Sequence, residues 1–451
     1  MLDEHPPRSN TTKEITGEPA SRGSRKPCVP TQEFTLKRKE TKVLKKCLSL
    51  SVGVACMSSA HAQSSVTLYG LIDLGVTYLN SAQTGRVGSQ LNGKSQVAMS
   101  DGHATGLSGS RWGLRGTEDL GGGMQALFVL ENGFMANTGT LAQGGAEFGR
   151  QAYVGISSSG LATLTVGRQY DPLVDSVQQF AASGNWGGYM SSHVGDVDNL
   201  SNTSRINNSI KIATSPFKAV KAEALYSLGG VAGNATQNQV WSLGVSYAGT
   251  SFNFGAGYLN ARNPNVSFYG NTPNKGLATA NNIGSPGSPT TPEVLPAYAG
   301  YASANTLQII GLGGSYSIGP TIVSAVATNT RFQSMGSASG PNPLAYSGNA
   351  TFNSVELGVR SYITPSLLTG VAFDYTQRSS VKGDGGAKYL QLDTGVDYFL
   401  SKRTDAYVLA VLQRATGRDS LGQAAVANIS GFTASSTDKQ IGLRVGLRHR
   451  F

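Results

Sequence analysis

The chain has 451 residues, with 36 Lys and Arg against 26 Asp and Glu, a formal net charge of +10 and three cysteines. Residues 1–62 hold all three cysteines, 11 of the basic and 6 of the acidic residues, so the remainder carries 25 against 20, a net charge of +5. That balance does not indicate a nucleic-acid partner, and it excludes disulfides and cysteine-based metal or catalytic sites after residue 62.

The first recognisable pattern along the chain is a targeting signal. The segment from Lys37 to Lys46 is basic, the segment from Cys47 to Met57 is modestly apolar, and Ala60-His61-Ala62 follows. A basic region, an apolar core and an A-x-A site in this order predict a secretory signal peptide over residues 36–62, cut between Ala62 and Gln63.

The residues on either side of the signal are interpreted differently. Residues 1–35 show no strand or helix periodicity, and we interpret them as an extension that arises from a start placed too far upstream. Residues 63–451 are then the mature protein. Lipidation of Cys56 is an alternative, but Gly53 stands where a lipoprotein signal needs a large aliphatic residue.

From residue 65 onward the chain alternates apolar and polar residues in short runs, and no apolar stretch approaches the roughly 18–20 residues of a spanning helix. Tight links alternate with long ones, as in outer-membrane barrels with short periplasmic turns and long external loops. We therefore predict an all-β fold, a 16-stranded antiparallel transmembrane β-barrel. Its strands are expected to begin near residues 65, 108, 124, 148, 162, 205, 218, 238, 252, 304, 320, 350, 365, 387, 402 and 438.

Three long connections are predicted to be loops because they are rich in Gly, Ser, Asn and Pro and lack a period: Asn80 to Leu107, Asn263 to Ser303, and Gln333 to Asn349. The first contains Gly88 to Ser95, which fits the phosphate-loop spacing G-x4-G-K-S. A phosphate loop needs a buried strand before it and a helix after it, and neither pattern is present, so nucleotide binding is disfavoured.

Alternation assigns the arginines of the second strand to the lumen. Arg111 and Arg115 share one face, while Trp112 and Leu114 share the other. A cation on the lipid face near the midplane costs about 2–4 kcal/mol, so the arginines are expected to face water inside the barrel.

The same test places Arg205 and Lys211 in the lumen and directs Ile206, Ile210 and Ile212 to lipid. The segment from Arg150 to Val154 is ambiguous alone. Pointing Tyr153 to the lipid interface leaves Arg150 in the lumen.

The last strand gives the clearest alternation. Ile441, Leu443, Val445 and Leu447 alternate with polar or glycine residues, and the chain ends on Phe451. This pattern predicts the closing strand of the barrel, with its apolar face toward lipid.

Several motifs resemble the general trimeric porins of Gram-negative bacteria, most closely the betaproteobacterial type. They are Ser65-Val-Thr-Leu-Tyr-Gly70, Ser110-Arg-Trp-Gly-Leu-Arg-Gly-Thr-Glu-Asp-Leu-Gly-Gly-Gly123, Leu130-Glu-Asn-Gly-Phe134, Phe148-Gly-Arg-Gln-Ala-Tyr-Val-Gly155, Gly167-Arg168-Gln169 and the terminal Phe451. The resemblance extends over the whole mature chain.

The resemblance implies a homotrimer in outer-membrane lipid, with the third external loop folded into each pore over about residues 169–204. It implies wall arginines at Arg111, Arg150 and Arg205, to which the alternation pattern adds Arg115 and Lys211. Asp171, Asp175, Asp196 and Asp198 are the acids of the folded loop, whose middle has none. Phe451 is expected to be the C-terminal signal for the barrel-assembly machinery.

The expected function is passive diffusion of small hydrophilic solutes and ions across the outer membrane, with an anion preference set by the lumen arginines. A substrate-specific channel, or an adhesin or receptor barrel with incidental conduction, are alternatives. The mature chain has three scattered histidines and no cysteine, so we expect no metal site, no cofactor and no enzyme activity. A lumen arginine could also serve only to pair with Asp73, Glu131 or a loop aspartate.

Overall fold

The computed structural model describes residues 65–270, 281–338 and 340–451. The predicted extension and signal peptide, including Ala62 and Gln63, lie outside the described residues. The strands are β1 Ser65–Val87, β2 Gln90–Asp101, β3 Arg111–Gly121, β4 Met124–Met135, β5 Thr140–Leu141, β6 Gln151–Ser158, β7 Ala162–Gln169, β8 Ile206–Thr214, β9 Val220–Ser227, β10 Val240–Ala248, β11 Phe252–Arg262, β12 Thr306–Ile318, β13 Thr321–Met335, β14 Gly348–Thr364, β15 Leu367–Arg378, β16 Ala387–Phe399, β17 Thr404–Gly417 and β18 Lys439–Arg450.

The helical segments are short and lie in the connections. The α-helices are α1 Gly102–Thr105, α2 Pro172–Val177, α3 Ala182–Asn185 and α4 Pro264–Ser267. Single 3₁₀ turns occur at Gln143–Gly145, Gln178–Phe180, Tyr189–Ser191, Val194–Asp196 and Ala299–Tyr301. Every described helix is too short or too polar to cross a membrane.

The strands form one closed antiparallel barrel. β18 pairs with β1, from Leu71 opposite Arg450 to Leu79 opposite Gly442, and this pairing closes the ring. β5 has only two residues, and β2 continues the line of β3 along the edge of β1, so 16 strands make up the wall, as predicted. Closure leaves no sheet edge, so the backbone groups are paired without water, which is the condition for spanning lipid.

The first long connection is largely a β-ribbon, which corrects the loop predicted from Asn80 to Leu107. β1 continues to Val87, turns at residues 88 and 89, and returns as β2. Main-chain hydrogen bonds hold this largely polar ribbon. Only Val97 and Met99 alternate with their neighbours on its outer face, and two residues are too short a run to reveal a strand. The phosphate-loop spacing lies on this turn and is followed by more of β2, so the helix that a phosphate loop needs does not follow it.

The predicted faces of the last strand are confirmed. Val445 and Leu447 are 60% and 53% exposed on the outer surface, whereas Arg444 and Arg448, on the inner face, are 0% and 8% exposed. The outer surface therefore presents apolar side chains to lipid along β18, and the charged side chains lie inside.

Two predicted faces are wrong. Val154 and Ile156 are the exposed residues of β6. Tyr153 precedes Val154 and lies on the other face of the strand, so it points inward rather than to the lipid interface. Ile206 is 1% exposed and belongs to the core inside the barrel, because Asn208, with a left-handed φ of 51°, interrupts the alternation of β8.

The main core lies inside the barrel, where two connections fold inward. Loop 3 is the connection between β7 and β8, residues 170–205, and loop 5 is the connection between β11 and β12, residues 263–305. Most buried apolar residues of both loops belong to one cluster with inward residues of β11 to β14, whereas Ala182, Trp186 and Met190 of loop 3 belong to two smaller clusters. Loop 3 can lie flush on the wall because glycines face it: a Cβ at Gly257 would come within 2.6 Å of Leu173, and one at Gly370 within 2.2 Å of Trp186.

Candidate pore constriction

Four arginines meet at the long-loop end of β3, β6, β7 and β8, which lie on one side of the wall with β4 between β3 and β6. Arg111 opens β3, Arg150 precedes β6, Arg168 lies near the end of β7, and Arg205 precedes β8. All four line one cavity of about 950 Å³ inside the barrel. The structure thus brings together Arg111, Arg150 and Arg205, the three wall arginines that the family resemblance implied, and adds Arg168.

Three of the four arginines are held by neutral groups. Arg111 donates from Nη2 to Ser108 Oγ at 2.7 Å. Arg205 donates from Nη1 to the carbonyl of Thr203 at 3.3 Å, its guanidinium lies 5.7 Å from the centre of the Tyr170 ring, and its buried Nε has no hydrogen-bond partner. Neither arginine makes an ion pair with a carboxylate of the described residues.

Arg150 is the exception among the four. Its Nε lies 2.7 Å from Glu131 Oε1, and its Nη2 donates to the Tyr170 hydroxyl at 2.8 Å. Tyr69 also donates to Glu131, at 3.0 Å. The pairing with Glu131 that was weighed as a structural role from the sequence is therefore present for Arg150, and it ties β6 to β4.

Arg168 reaches the cavity through a bulge that alternation could not reveal. Leu164 and Val166 are the outward residues of β7, so regular pleating would also turn Arg168 outward. The pairing of β7 with β8 shifts register between Gly167 and Gln169, and Gly167 has a φ of 141°. Arg168 then donates to the carbonyls of Gly149 at 2.8 Å and Arg205 at 3.3 Å.

The lining of the cavity, taken over the residues that the structure describes, contains no aspartate or glutamate. His103, which lies on α1 between strands, is its only other group with a basic side chain. Burial, followed by the charges of Arg205 and Arg150, lowers the pKa of His103 to about 4. His103 is therefore neutral at pH 7, and the positive charge of the cavity is that of the arginines.

Two of the acids predicted for the folded loop, Asp171 and Asp196, accept hydrogen bonds from loop 3 itself. Asp171 caps α2, accepting from the backbone N–H of Leu173 at 3.0 Å. Asp196 accepts from Ser201 N at 2.8 Å and from the Thr203 hydroxyl at 2.8 Å. Burial, and then the charge of Asp198, raise the pKa of Asp196 to about 7, so even this acid is only partly ionised at neutral pH.

Asp198 and Asp175 are both paired with cations. Asp198 Oδ2 lies 2.5 Å from Nδ1 of His193, at the point where loop 3 meets the opposite wall. Asp175 pairs with Lys211, whose Nζ also donates to the carbonyl of Tyr170 at 3.2 Å. Neither acid lines the cavity.

Lys211 and Arg115 face the lumen, but neither lines the cavity. Lys211 is neutralised by Asp175 and has Glu223 at 3.7 Å. Arg115 lies nearer the short-turn rim, with its guanidinium 5.2 Å from the centre of the Tyr69 ring. The structure thus separates these two predicted wall cations from the four arginines.

Loop 5 supplies the face of the cavity that lies beside the arginines. The described part of this loop contributes mainly apolar or aromatic side chains beside Gly270 and Asn282: Phe268, Tyr269, Ile283, Val294, Leu295 and Tyr298. Glu293, the acid of the described part of this loop, is 2% exposed and accepts from Gln83 at 3.0 Å outside the cavity lining.

Phe451 lies at the short-turn rim beside the first strand. Its backbone N–H donates to Gly70 at 3.0 Å, and its carbonyl accepts from Gly70 at 3.2 Å. The side chain is 45% exposed. Its ring packs so closely on Gly70 that a Cβ at that position would lie 2.4 Å from the ring. The last residue therefore takes part in closing the barrel.

A closed 16-stranded barrel with apolar side chains outside and a charged, water-accessible passage inside is a transmembrane channel of the outer-membrane type. Residues 49–418 match the family model described as Gram-negative porin. The chain therefore belongs to the Gram-negative porin family. It resides in the outer membrane and has the family's general function, passive diffusion of small hydrophilic solutes.

Curated relatives support this assignment. Outer membrane porin protein 32 of Delftia acidovorans is 27% identical over 419 residues, which cover 90% of this chain and 100% of that protein. An outer membrane porin protein of Bordetella pertussis is 36% identical over 178 residues, 38% of this chain and 44% of the relative.

Solved structures share the fold. The anion-selective porin from Comamonas acidovorans superposes with a TM-score of 0.62 at 22% identity, covering 86% of this chain and 100% of that one. A Vibrio cholerae outer membrane protein, OmpT, described in its trimer form, gives a TM-score of 0.57 at 13% identity, with 86% and 99% covered.

Proposed function

We propose that the pore prefers anions and that the cavity arginines set this preference. The observation that supports it is the lining, which holds four arginines and no aspartate or glutamate among residues 65–270, 281–338 and 340–451. Only Arg150 of the four is ion-paired with a carboxylate of these residues. A guanidinium stays charged at any working pH, and clustered positive charge raises the local concentration of anions. The carboxylate of Glu131, which does not line the cavity, is held by Arg150.

The test is the reversal potential of the refolded mature protein in a planar bilayer across a potassium chloride gradient. Arg111→Gln, Arg168→Gln and Arg205→Gln each remove a cation that lacks a carboxylate partner. At low salt each should reduce the chloride-to-potassium permeability ratio roughly twofold, because a unit charge several ångströms from an ion in water is worth about half a kcal/mol. The three together should abolish the preference, and high salt should shrink every difference.

Arg331→Gln is the matched control. Arg331 is exposed on β13, on the same face as the exposed Val323, so this variant removes the same charge from the outer surface. Its permeability ratio should equal that of the wild type. An unchanged ratio in the triple cavity variant would refute the proposal.

We also propose that the chain assembles as a homotrimer, that Phe451 is read by the barrel-assembly machinery, and that the chain is a channel without catalytic activity or cofactor. The family and the fold support the last of these. A trimer band in gel electrophoresis that dissociates on heating checks the homotrimer. Loss of insertion into the outer membrane on Phe451→Ala checks the role of Phe451.

A further inference from the structure

The apolar face that loop 5 adds to the cavity adjoins the arginine face directly. Arg168 donates to the side-chain carbonyl of Asn207, and the amide nitrogen of Asn207 donates to the carbonyl of Gly270 at 3.4 Å. Gly270 follows Phe268 and Tyr269, which line the cavity. A solute held by the arginines therefore lies next to apolar side chains.

Loop 5 is also fixed to loop 3, so the apolar face has a defined position. The Tyr298 hydroxyl donates to the carbonyl of Gly195 at 2.6 Å. A Cβ at Gly195 would lie 2.8 Å from the Tyr298 ring and 3.2 Å from Leu295 Cδ2, so only glycine fits there without displacing them. The two loops therefore form one wall.

Leu295 occupies a backbone conformation that leucine rarely adopts. Its φ is 51°, in the left-handed region, and the turn is closed by bonds from Tyr298 N at 3.1 Å and Ala299 N at 2.9 Å to the Leu295 carbonyl. Its side chain is only half-buried and lines the cavity. Strained residues of this kind persist where the surrounding structure holds them, often at binding sites.

From these contacts, and resting on the anion preference proposed above, we infer that the pore favours organic monoanions with an apolar ring or chain over hydroxylated anions of the same charge and skeleton. The arginines take the carboxylate, and the loop 5 face takes the hydrocarbon. Each methylene that leaves water improves binding roughly fourfold, whereas a hydroxyl pressed on the same face loses hydrogen bonds to water. A cavity of about 950 Å³ is large enough for one such solute and its water.

The test compares cyclohexanecarboxylate with quinate, which has the same ring and carboxylate but four added hydroxyls. Each anion is added to the refolded protein in a planar bilayer at low potassium chloride, and the concentration that halves the chloride conductance is measured. Because a solute in a wet pore buries only part of its ring, cyclohexanecarboxylate should block at a concentration about three- to tenfold lower than quinate.

Leu295→Asn removes the apolar side chain while keeping a residue that tolerates the left-handed region. It should bring the two half-blocking concentrations within about twofold of each other. Ile283→Thr tests the same face independently should the first variant fold poorly. Leu344→Asn is the matched control, since Leu344 is 39% exposed on the connection between β13 and β14 and does not line the cavity.

The inference is overturned if the wild type blocks equally with both anions, or if Leu295→Asn and Ile283→Thr both keep the wild-type ratio. It is also overturned if Leu344→Asn reduces the ratio as Leu295→Asn does. Failure of the anion preference itself shows in the potassium chloride reversal potential of the wild type, and it removes the inference together with the proposed function.

Discussion

Arginines on two walls of the same barrel have opposite surroundings. On the cavity wall, Arg111 and Arg205 rest on hydroxyl, carbonyl and aromatic groups. On the wall made by the last strand, Arg444 lies 3.0 Å from Asp73, and Arg448 lies 2.9 Å from Asp405. All four arginines point into the barrel, but only those of the last strand have a carboxylate partner.

That partner decides what the arginine does. Arg444 is fully buried, and besides Asp73 it donates to Tyr407 at 2.7 Å and to Thr105 at 2.8 Å. Such a group joins β18 to β1 and α1, and it contributes no net charge to the passage. An arginine without a carboxylate keeps its field and can attract anions. Counting lumen arginines therefore overstates the charge that a permeating ion meets.

The largest expected effect comes from breaking a pair on the last strand. Arg444→Met leaves Asp73 buried without its cation, and removing one partner of a buried pair costs about 3–5 kcal/mol. Unfolding of the refolded barrel in guanidinium chloride, followed by tryptophan fluorescence, should show a correspondingly lower midpoint.

Arg414→Met is the control for that change. Arg414, on β17, lies 3.5 Å from Asp438, which precedes β18. The two side chains are 59% and 47% exposed, so the same exchange should cost about 0–1 kcal/mol. The double variant Asp73→Asn with Arg444→Met should recover part of the loss because no buried charge remains. Equal midpoints for the two single variants would contradict the distinction between the walls.

Two histidines of the loops extend the comparison to pH. His103, among arginines, has the lowered pKa of about 4 described above. Burial alone would lower the pKa of His193 as well, but Asp198 and Asp374 outweigh it and raise that pKa well above 6.5. The ring of His193 lies 2.5 Å from Asp198 and 3.4 Å from Glu356, so its charge anchors loop 3 to the wall.

The sign of the pH dependence follows. A raised histidine pKa stabilises the folded loop below the unfolded value, near 6.5, and this contribution is lost as pH rises through the folded value. His193→Gln should therefore show at neutral pH the unstable conductance that the wild type reaches only under alkaline conditions. His103→Gln should leave the dependence unchanged from about pH 6 to 9. A wild-type trace that is equally steady at high pH in single-channel recordings would contradict the anchor.

Part of this arrangement could be read from the sequence. Strict alternation from Ile441 to Leu447 predicted the lipid face of β18, and alternation at Arg111 and Arg115 predicted their lumen face. Arg168 was missed as a cavity residue because the bulge at Gly167 breaks the two-residue period on which that argument depends. The glycine before an arginine at a strand end was the only available signal.

Asp73 and Glu131 were candidate partners for lumen arginines, but which arginine pairs with which acid could not be predicted. Asp73 and Arg444 are 371 residues apart, and only the closure of β1 on β18 brings them together. The inward course of loop 5 was equally hidden, since its Gly, Pro and Asn content predicts a loop but not where the loop packs. Its contact with Gly195 of loop 3 depends on the positions of both loops within the finished barrel.

The smallest expected effect, and the sharpest test of the comparison, comes from giving the cavity wall the carboxylate that it lacks. Gln178 lines the cavity from loop 3, and Gln178→Glu is nearly isosteric, so stability should change by less than about 0.5 kcal/mol. At neutral pH and low salt the chloride-to-potassium ratio should fall roughly twofold, as if one arginine had been neutralised. Because the neighbouring arginines favour the ionised form, the loss should reverse only on acidification below about pH 4, where the introduced carboxyl takes up a proton.

Gln237→Glu, on the exposed connection between β9 and β10, adds the same charge outside the cavity and should leave the ratio unchanged. The wild type is measured at each pH to account for the titration of His103. If both glutamate variants behave alike, charge anywhere near the mouth sets the selectivity, and the carboxylate-free wall has no special role.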